Sequence, residues 1–156
     1  MIDELACDLV FERLWVGRYP HSPEHVDALQ RMGVSAVLNL QSDEDLLDRG
    51  VSWPALWGLY TARGITVERV PILDFSRRDL QKHLTAAVDR LQALHRQGRT
   101  VYLHCNAGLN RSPTVAIAWL VAHQGLEPAA AHAHVEERHH CIPYLDVVER
   151  WRKKGR

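Results

Sequence analysis

The densest run of chemistry-bearing residues in this 156-residue chain is His104-Cys105-Asn106-Ala107-Gly108-Leu109-Asn110-Arg111-Ser112. It lies between a buried-strand pattern, Thr100 to His104, and an apolar run from Arg111 to His123 that reads as a mostly buried helix. A turn entering a helix N-terminus aims unpaired backbone N–H groups and the positive end of the helix dipole at one point, and Gly108 permits close backbone approach. That arrangement suits an anion. A cysteine at its mouth has the thiolate favoured and reads as a nucleophile. Arg111 offers a planar fork to two oxygens of a phosphate, which a lysine does not match. Together these types support thiolate attack by Cys105 on phosphorus, through a cysteinyl-phosphate intermediate.

Such a reaction needs a general acid that protonates the leaving oxygen and then acts as a base toward water. Asp74, in Pro71-Ile72-Leu73-Asp74-Phe75-Ser76, is the candidate, because it follows a strand that ends near Val70. Asp79 competes, but it falls in the first turn of the next helix. The histidines His132, His134, His139 and His140 raise the question of a metal. Their spacing answers it: His132 and His134 fall on different faces of a helix, and no HExxH or Cys/His zinc pattern occurs. They read as a solvated helix face, and no metal or cofactor is expected.

The elements that would position these groups follow from the pattern. Short strands at Leu9 to Phe11 and Leu14 to Gly17 flank a turn at Glu12 and Arg13. Ser22 caps a helix with Pro23 at its first position and Gly33 at its end. Val34 to Leu40 is a β-branched apolar run of buried-strand type. The acidic stretch Ser42 to Asp48 and the aromatic segment Trp53 to Tyr60 lead to a strand at Ile65 to Val70. A helix from about Arg78 to Gln97 carries Leu80, Leu84, Ala87, Val88, Leu91 and Leu94 on one face. Helices at about Pro128 to His139 and Pro143 to Trp151 complete the chain, and Arg150 to Arg156 read as a frayed tail.

Alternating strands and helices predict a single α/β domain over residues 1–156, with a central, mainly parallel sheet flanked by helices. Ligands of such sheets sit outside the carboxyl ends of the strands, here the loops after Leu40, Val70 and His104.

Nineteen Lys plus Arg balance nineteen Asp plus Glu. A neutral chain lacks the basic excess of nucleic-acid or acidic-membrane binders, so neither partner is expected. No apolar run reaches membrane-spanning length, and the acidic start is unlike a secretory signal. The expected compartment is therefore the cytoplasm, and three cysteines with no CxxC pair are a poor disulfide framework.

HCNAGLNRS resembles the signature loop of the cysteine-dependent protein tyrosine phosphatases, and the short chain resembles their dual-specificity branch. The resemblance implies that Cys105 is the nucleophile and that Arg111 binds phosphate and steadies the transition state. It implies a cradle of backbone N–H groups from Asn106, Ala107, Gly108, Leu109, Asn110 and Arg111. Ser112 would stabilise the departing thiolate, and His104 would orient the loop. WVGRYPHSPEHVDALQRMGVSAVLNLQSDEDL, VERVPILDFSRRDL and HHCIPYLD are also similar to the plant starch glucan phosphatases and, more distantly, to laforin. That likeness makes Asp74 the general acid and Phe75 a substrate contact beside Trp53, Trp57 and Tyr60. Asn110 stands where the glucan phosphatase loop has Gly, and Ile142 where an aromatic contact is expected. Trp119 belongs to the core.

The expected activity is a dual-specificity phosphomonoesterase acting on phosphotyrosine and phosphoserine/threonine proteins. The alternatives are a phosphatase of phosphoglucan, other sugar phosphates or inositol lipids, and a non-catalytic module that binds phosphorylated partners. A rhodanese-like sulfur transferase also places Cys in a helix-entry loop, but the paired Arg111 and Ser112 and the upstream Asp74 fit phosphate better.

Overall fold

The computed structural model describes residues 4–155. In chain order the elements are β1 (Cys7–Phe11), β2 (Leu14–Gly17), α1 (Pro23–Arg31), β3 (Ala36–Asn39), α2 (Asp43–Asp48), α3 (Trp53–Ala62), β4 (Thr66–Arg69), α4 (Arg77–Arg96), β5 (Val101–His104), α5 (Arg111–His123), α6 (Pro128–Glu136) and α7 (Leu145–Lys153). The strands form one sheet in the order β1-β2-β5-β3-β4. β1 pairs with β2 antiparallel, and every other pairing is parallel.

Register decides where the chemistry gathers. Gly17 pairs with His104, His104 with Asn39, and Asn39 with Arg69, so four strands end in one row. The loops that follow β2, β3, β4 and β5 therefore all start from the same edge.

Strand side chains alternate between faces, and each face has its own core. Val16, Leu38 and Leu103 face α4, α5, α6 and α7, with Leu80, Leu84, Leu91 and Trp119 filling the space between. Val37 and Tyr102 face α1 and α3 and meet Val26, Leu29, Leu56 and Tyr60. α5 is buried from Arg111 through Val121, which explains a helix apolar on every side rather than along one stripe.

Two stretches differ from the sequence expectation. The connection from β3 to β4 holds two helices. α2 forms because Ser42 and Asp45 make a reciprocal capping box: Asp45 N–H donates to Ser42 Oγ at 3.1 Å, and Ser42 N–H donates to Asp45 Oδ2 at 2.9 Å. α3 is capped by Ser52, with Pro54 inside its first turn. The expected frayed tail is helical through Lys153, because Trp151 is buried and its Nε1–H donates to Thr85 Oγ1 on α4 at 2.9 Å. Arg156, the end of that expected tail, lies outside the described residues.

Candidate active site

The loop between β5 and α5 is held by its carbonyls. His104 Nδ1 binds the Cys105 carbonyl at 2.9 Å, and Tyr19 N–H donates to the Asn106 carbonyl at 2.9 Å. His139 Nε2 meets the Gly108 carbonyl at 2.6 Å, and Ile142 N–H donates to the Leu109 carbonyl at 2.6 Å. A trans peptide directs its N–H opposite to its C=O. Fastening these four carbonyls to the surroundings turns the N–H groups of Asn106, Ala107, Leu109 and Asn110 the other way. Among the described residues, none of those N–H groups donates to a protein acceptor. The result is a concave set of donors at the N-terminus of α5, which is a place for an anion.

Gly108 is required twice over. Its φ is +75°, and a Cβ there would meet the carbonyl carbon and oxygen of Gly17 at 2.7 and 2.8 Å. The loop thus packs directly on the end of β2.

Arg111 opens α5 with 1% of its surface exposed. Its Nη1 donates to Asp45 Oδ2 at 2.7 Å and to the Ile72 carbonyl at 2.7 Å. Nε lies 3.4 Å from Asp74 Oδ1, close enough for charge attraction but without hydrogen-bond geometry, and neither Nε nor Nη2 has a hydrogen-bond partner among the described residues. Buried guanidinium donors left over in this way are costly unless an acceptor meets them. A phosphate supplies several acceptors at once.

Cys105 is buried with its Sγ 3.3 Å from Ser112 Oγ. His104 is fully buried. Burial, with a smaller contribution from Arg111, pushes its imidazole down to about 4, and the ring is neutral at pH 7 with its proton on Nδ1, facing the Cys105 carbonyl.

Asp74 comes in from the loop after β4. Its Oδ2 is 3.4 Å from Asn106 Nδ2, and its Oδ1 accepts from Phe75 N–H at 3.1 Å. Asp79 is occupied elsewhere: Oδ2 accepts from Leu73 N–H at 2.7 Å, and its own N–H donates to the cap Ser76. Of the two carboxylates, Asp74 is the one beside the cysteine loop. Phe75 has φ of +58° and is 86% exposed, so it stands at the mouth of the groove that Asp74, Asp45, Ser42 and Asn106 line.

The expected aromatic rim is not assembled as a unit. Tyr60 is fully buried among Val26, Leu29 and Val37, with its phenol pushed up by burial; it is a core residue and not a rim contact. Trp53 packs partly against that same core with Arg69 over its ring at 5.2 Å, and Trp57 is 51% exposed on α3. Neither lines the groove beside Asp74. Asn110 has φ of −124°, and its Nδ2 donates to the Ile142 carbonyl at 2.8 Å. Its side chain braces the loop instead of crowding the pocket floor. The histidines also depart from the solvated-face expectation: His139 is buried between Asp8 and the loop, and His134 Nε2 meets the Val10 carbonyl at 2.8 Å.

Asp45 was not legible as a site residue, although a Ser-x-x-Asp capping box just past a buried strand would have placed it at the sheet's carboxyl edge. Besides Arg111 it accepts from Asn106 Nδ2 at 2.9 Å, while Gln41 Nε2 donates to Asn106 Oδ1 at 2.8 Å. The carboxyl sits below the usual range. Burial alone would raise it, and hydrogen bonds from Arg111, Asn106 and the Ser42 N–H outweigh that effect.

Comparison with known proteins fits this geometry. The chain is 36% identical over 150 residues to phosphoglucan phosphatase DSP4, amyloplastic, of Castanea sativa, which covers 94% of this chain and 40% of that protein. It is 31% identical over 122 residues to laforin of Mus musculus, covering 71% of this chain and 37% of that protein. The chain thus spans about two-fifths of these curated relatives (40% and 37%). The crystal structure of Tk-PTP in the active form is similar over 95% of this chain and 94% of that one, with a TM-score of 0.77 and 26% identity. Residues 14–145, from the first residue of β2 to the first of α7, match the family model "Dual specificity phosphatase, catalytic domain". The chain belongs to the dual specificity phosphatase catalytic domain family.

Proposed function

We propose that this chain hydrolyses phosphate monoesters in two steps on one cysteine. Cys105 Sγ attacks phosphorus while Arg111 and the loop N–H groups hold the non-bridging oxygens. Asp74 gives a proton to the departing oxygen as the P–O bond breaks. Water then attacks the cysteinyl phosphate, Asp74 takes the water's proton, and the Ser112 hydroxyl, 3.3 Å from Sγ, donates to the thiolate as the S–P bond breaks. The observation that carries this reading is the pairing of outward-tied loop carbonyls with the unpartnered Nε and Nη2 of a buried Arg111, next to a buried cysteine.

Phosphotyrosine and phosphoserine/threonine proteins are the substrate class that the family description supports. Phosphoglucan is the second reading. It is favoured by the 86% exposed Phe75 at the mouth, a surface for a sugar ring, and by the likeness to a phosphoglucan phosphatase. With Asp45 paired to Arg111, the groove is lined by the acids Glu44, Asp48 and Asp74 against the single base Arg49, a balance that weighs against highly charged inositol phosphates. We take residues 1–156 as one catalytic domain, since the sheet and its flanking helices use residues from Cys7 through Lys153. Three free cysteines fit a reducing compartment such as the cytoplasm. Among the described residues, no helix is long and apolar enough to cross a membrane.

The test is a side-by-side assay of phosphotyrosine peptide, phosphothreonine peptide, inositol phosphate and amylopectin without added metal. Phosphate release from a peptide or from amylopectin, abolished in Cys105→Ser, is the expected result. No release from any of the four would overturn the reading.

A further inference from the structure

The reaction scheme leaves His139 unused, yet this buried ring touches the loop. It lies past the end of α6, with Nδ1 2.7 Å from Asp8 Oδ2 on β1 and Nε2 2.6 Å from the Gly108 carbonyl oxygen. A carboxylate and a carbonyl are both acceptors, whereas a neutral imidazole has one N–H and one lone pair. A neutral ring would satisfy one partner and press its lone pair on the other. Both contacts form hydrogen bonds together only when both ring nitrogens carry protons.

We infer that His139 is a positioning residue whose imidazolium form clamps the Gly108 carbonyl and so aims the Leu109 N–H at the phosphoryl group. The inference rests on the proposed phosphatase function for its substrate. The Gly108–Leu109 peptide is trans, as are all described peptides, so fixing its C=O fixes its N–H in the opposite direction. A neutral His139 releases one of its two anchors. If the one remaining ring proton stays on Nδ1, toward the Asp8 carboxylate, the Gly108 carbonyl faces the Nε2 lone pair and that peptide is free to turn its N–H out of the cradle. The next peptide has a separate tether, because Ile142 N–H holds the Leu109 carbonyl and Asn110 Nδ2 holds the Ile142 carbonyl.

The charged neighbours leave Asp8 as the partner of this ring. Arg138 turns away to the His134 carbonyl and Glu137, and His134 itself meets the Val10 carbonyl. Cys7 on β1 and Cys141 after α6 are both pushed up to about 11 by burial, so neither titrates in the neutral range. The remaining titratable or charged groups on the packed elements are Cys105 in the loop, Arg111 and His123 at the two ends of α5, His132 and Glu136, which pair with each other on α6, and His140 beside the ring. The clamp needs a proton on each ring nitrogen, so the imidazolium makes it and the neutral ring does not.

Two measurements test this, and the first needs no turnover. Nitrogen-15 NMR of ring-labelled protein at pH 7, with His139 assigned by the signal missing from His139→Gln, should show two protonated ring nitrogens. A single-proton tautomer would overturn the inference. The second is kcat/KM against pH on an aryl phosphate with a good leaving group, which does not depend on the general acid. His139→Arg, which can donate to both oxygens and does not titrate, should stay within about 3-fold of wild type and lose one alkaline limb. His139→Gln, which donates to only one partner, should lose about 10-fold or more, carried by KM, with the unfolding midpoint showing that it is folded. A His139→Gln variant as active as wild type, or a His139→Arg profile with the same limb, would overturn it. If wild type releases no phosphate while NMR shows the doubly protonated ring, the proposed function fails and the clamp stands.

Discussion

Arg111 Nη1 lies 2.7 Å from Oδ2 of Asp45, a contact between the first residue of α5 and the middle of α2. The same Nη1 donates to the Ile72 carbonyl, so one nitrogen is fixed by two elements while Nε and Nη2 are left for an oxyanion. A carboxylate this close also balances a buried charge whose other carboxylate neighbour, Asp74, lies farther off at 3.4 Å. The short helix α2 therefore holds one carboxylate under one guanidinium.

Removing that carboxylate should damage stability and turnover together. Asp45→Ala leaves buried Arg111 with only the more distant Asp74 carboxylate and removes the side-chain partner of the Ser42 cap, and should destabilise the fold by about 3 kcal/mol. Asp45→Asn keeps the shape and should lose about 10-fold in kcat/KM while costing less stability. Urea unfolding and steady-state kinetics on the same preparations check both. An Asp45→Ala protein with wild-type stability would show that the pair is not what fixes Arg111.

Arg111→Lys retains charge but not the planar fork. It should lose about 100-fold or more in kcat/KM, because a single ammonium cannot span two phosphate oxygens as they gain charge. Steady-state assays on a small aryl phosphate measure this, and a loss below a few-fold would remove the bidentate role.

Asp74→Asn should act through the leaving group. Phosphate esters of poorly acidic alcohols should slow by about 100-fold or more, whereas activated aryl esters should slow far less. A series of esters of graded leaving-group pKa gives a slope that steepens in the variant. Asp79→Asn should leave that slope unchanged, since its carboxylate is spent on the Leu73 N–H. The same steepening in Asp79→Asn would transfer the acid role.

His104 gives a pH dependence of stability. Its folded pKa is depressed to about 4 from an ordinary 6.5, so at pH values between these the unfolded chain binds a proton that the folded chain refuses. The stabilising effect is fully present above pH 6.5 and declines as pH falls through that window, by about 3 kcal/mol in all. Unfolding midpoints of wild type and His104→Asn should therefore converge on acidification. Parallel curves across the window would contradict the buried neutral ring.

Tyr60→Phe distinguishes a core tyrosine from a substrate contact. Its buried hydroxyl has no partner among the described residues, so removing it should leave turnover on peptides and amylopectin unchanged and should stabilise by up to about 1 kcal/mol. Phe75→Ala, at the exposed mouth, should lower kcat/KM on polymeric substrates by several-fold, in line with one lost stacking contact. Kinetics and unfolding on both variants check the contrast.

What the sequence revealed and what it hid follow different physics. The Cys105 loop and the strands and helix around it are local: buried-strand patterns, a helix start and a glycine lie within one short segment, and so were legible. Asp74 was legible because the parallel sheet brings strand ends to one edge. Asp45 and His139 were not, because each reaches the loop through a tertiary contact, 66 residues away for Asp45 and 31 for His139. Tyr60 misled because an aromatic helix beside a site has the same composition whether a given ring faces the core or solvent. The deciding fact, that Tyr60 packs under β3, is a matter of helix phase. His139 was assigned to a solvated face for the same reason, since a run of histidines does not reveal which one turns inward to Asp8.

The central claim is a phosphate carried on Cys105. Rapid acid quench during turnover of an aryl phosphate, followed by peptide mass spectrometry, tests it most directly. A phosphate mass is expected on the peptide that contains Cys105, accumulating in Asp74→Asn and absent in Cys105→Ser, which should also be inactive. Phosphate on another residue, or sustained turnover by Cys105→Ser, would contradict it.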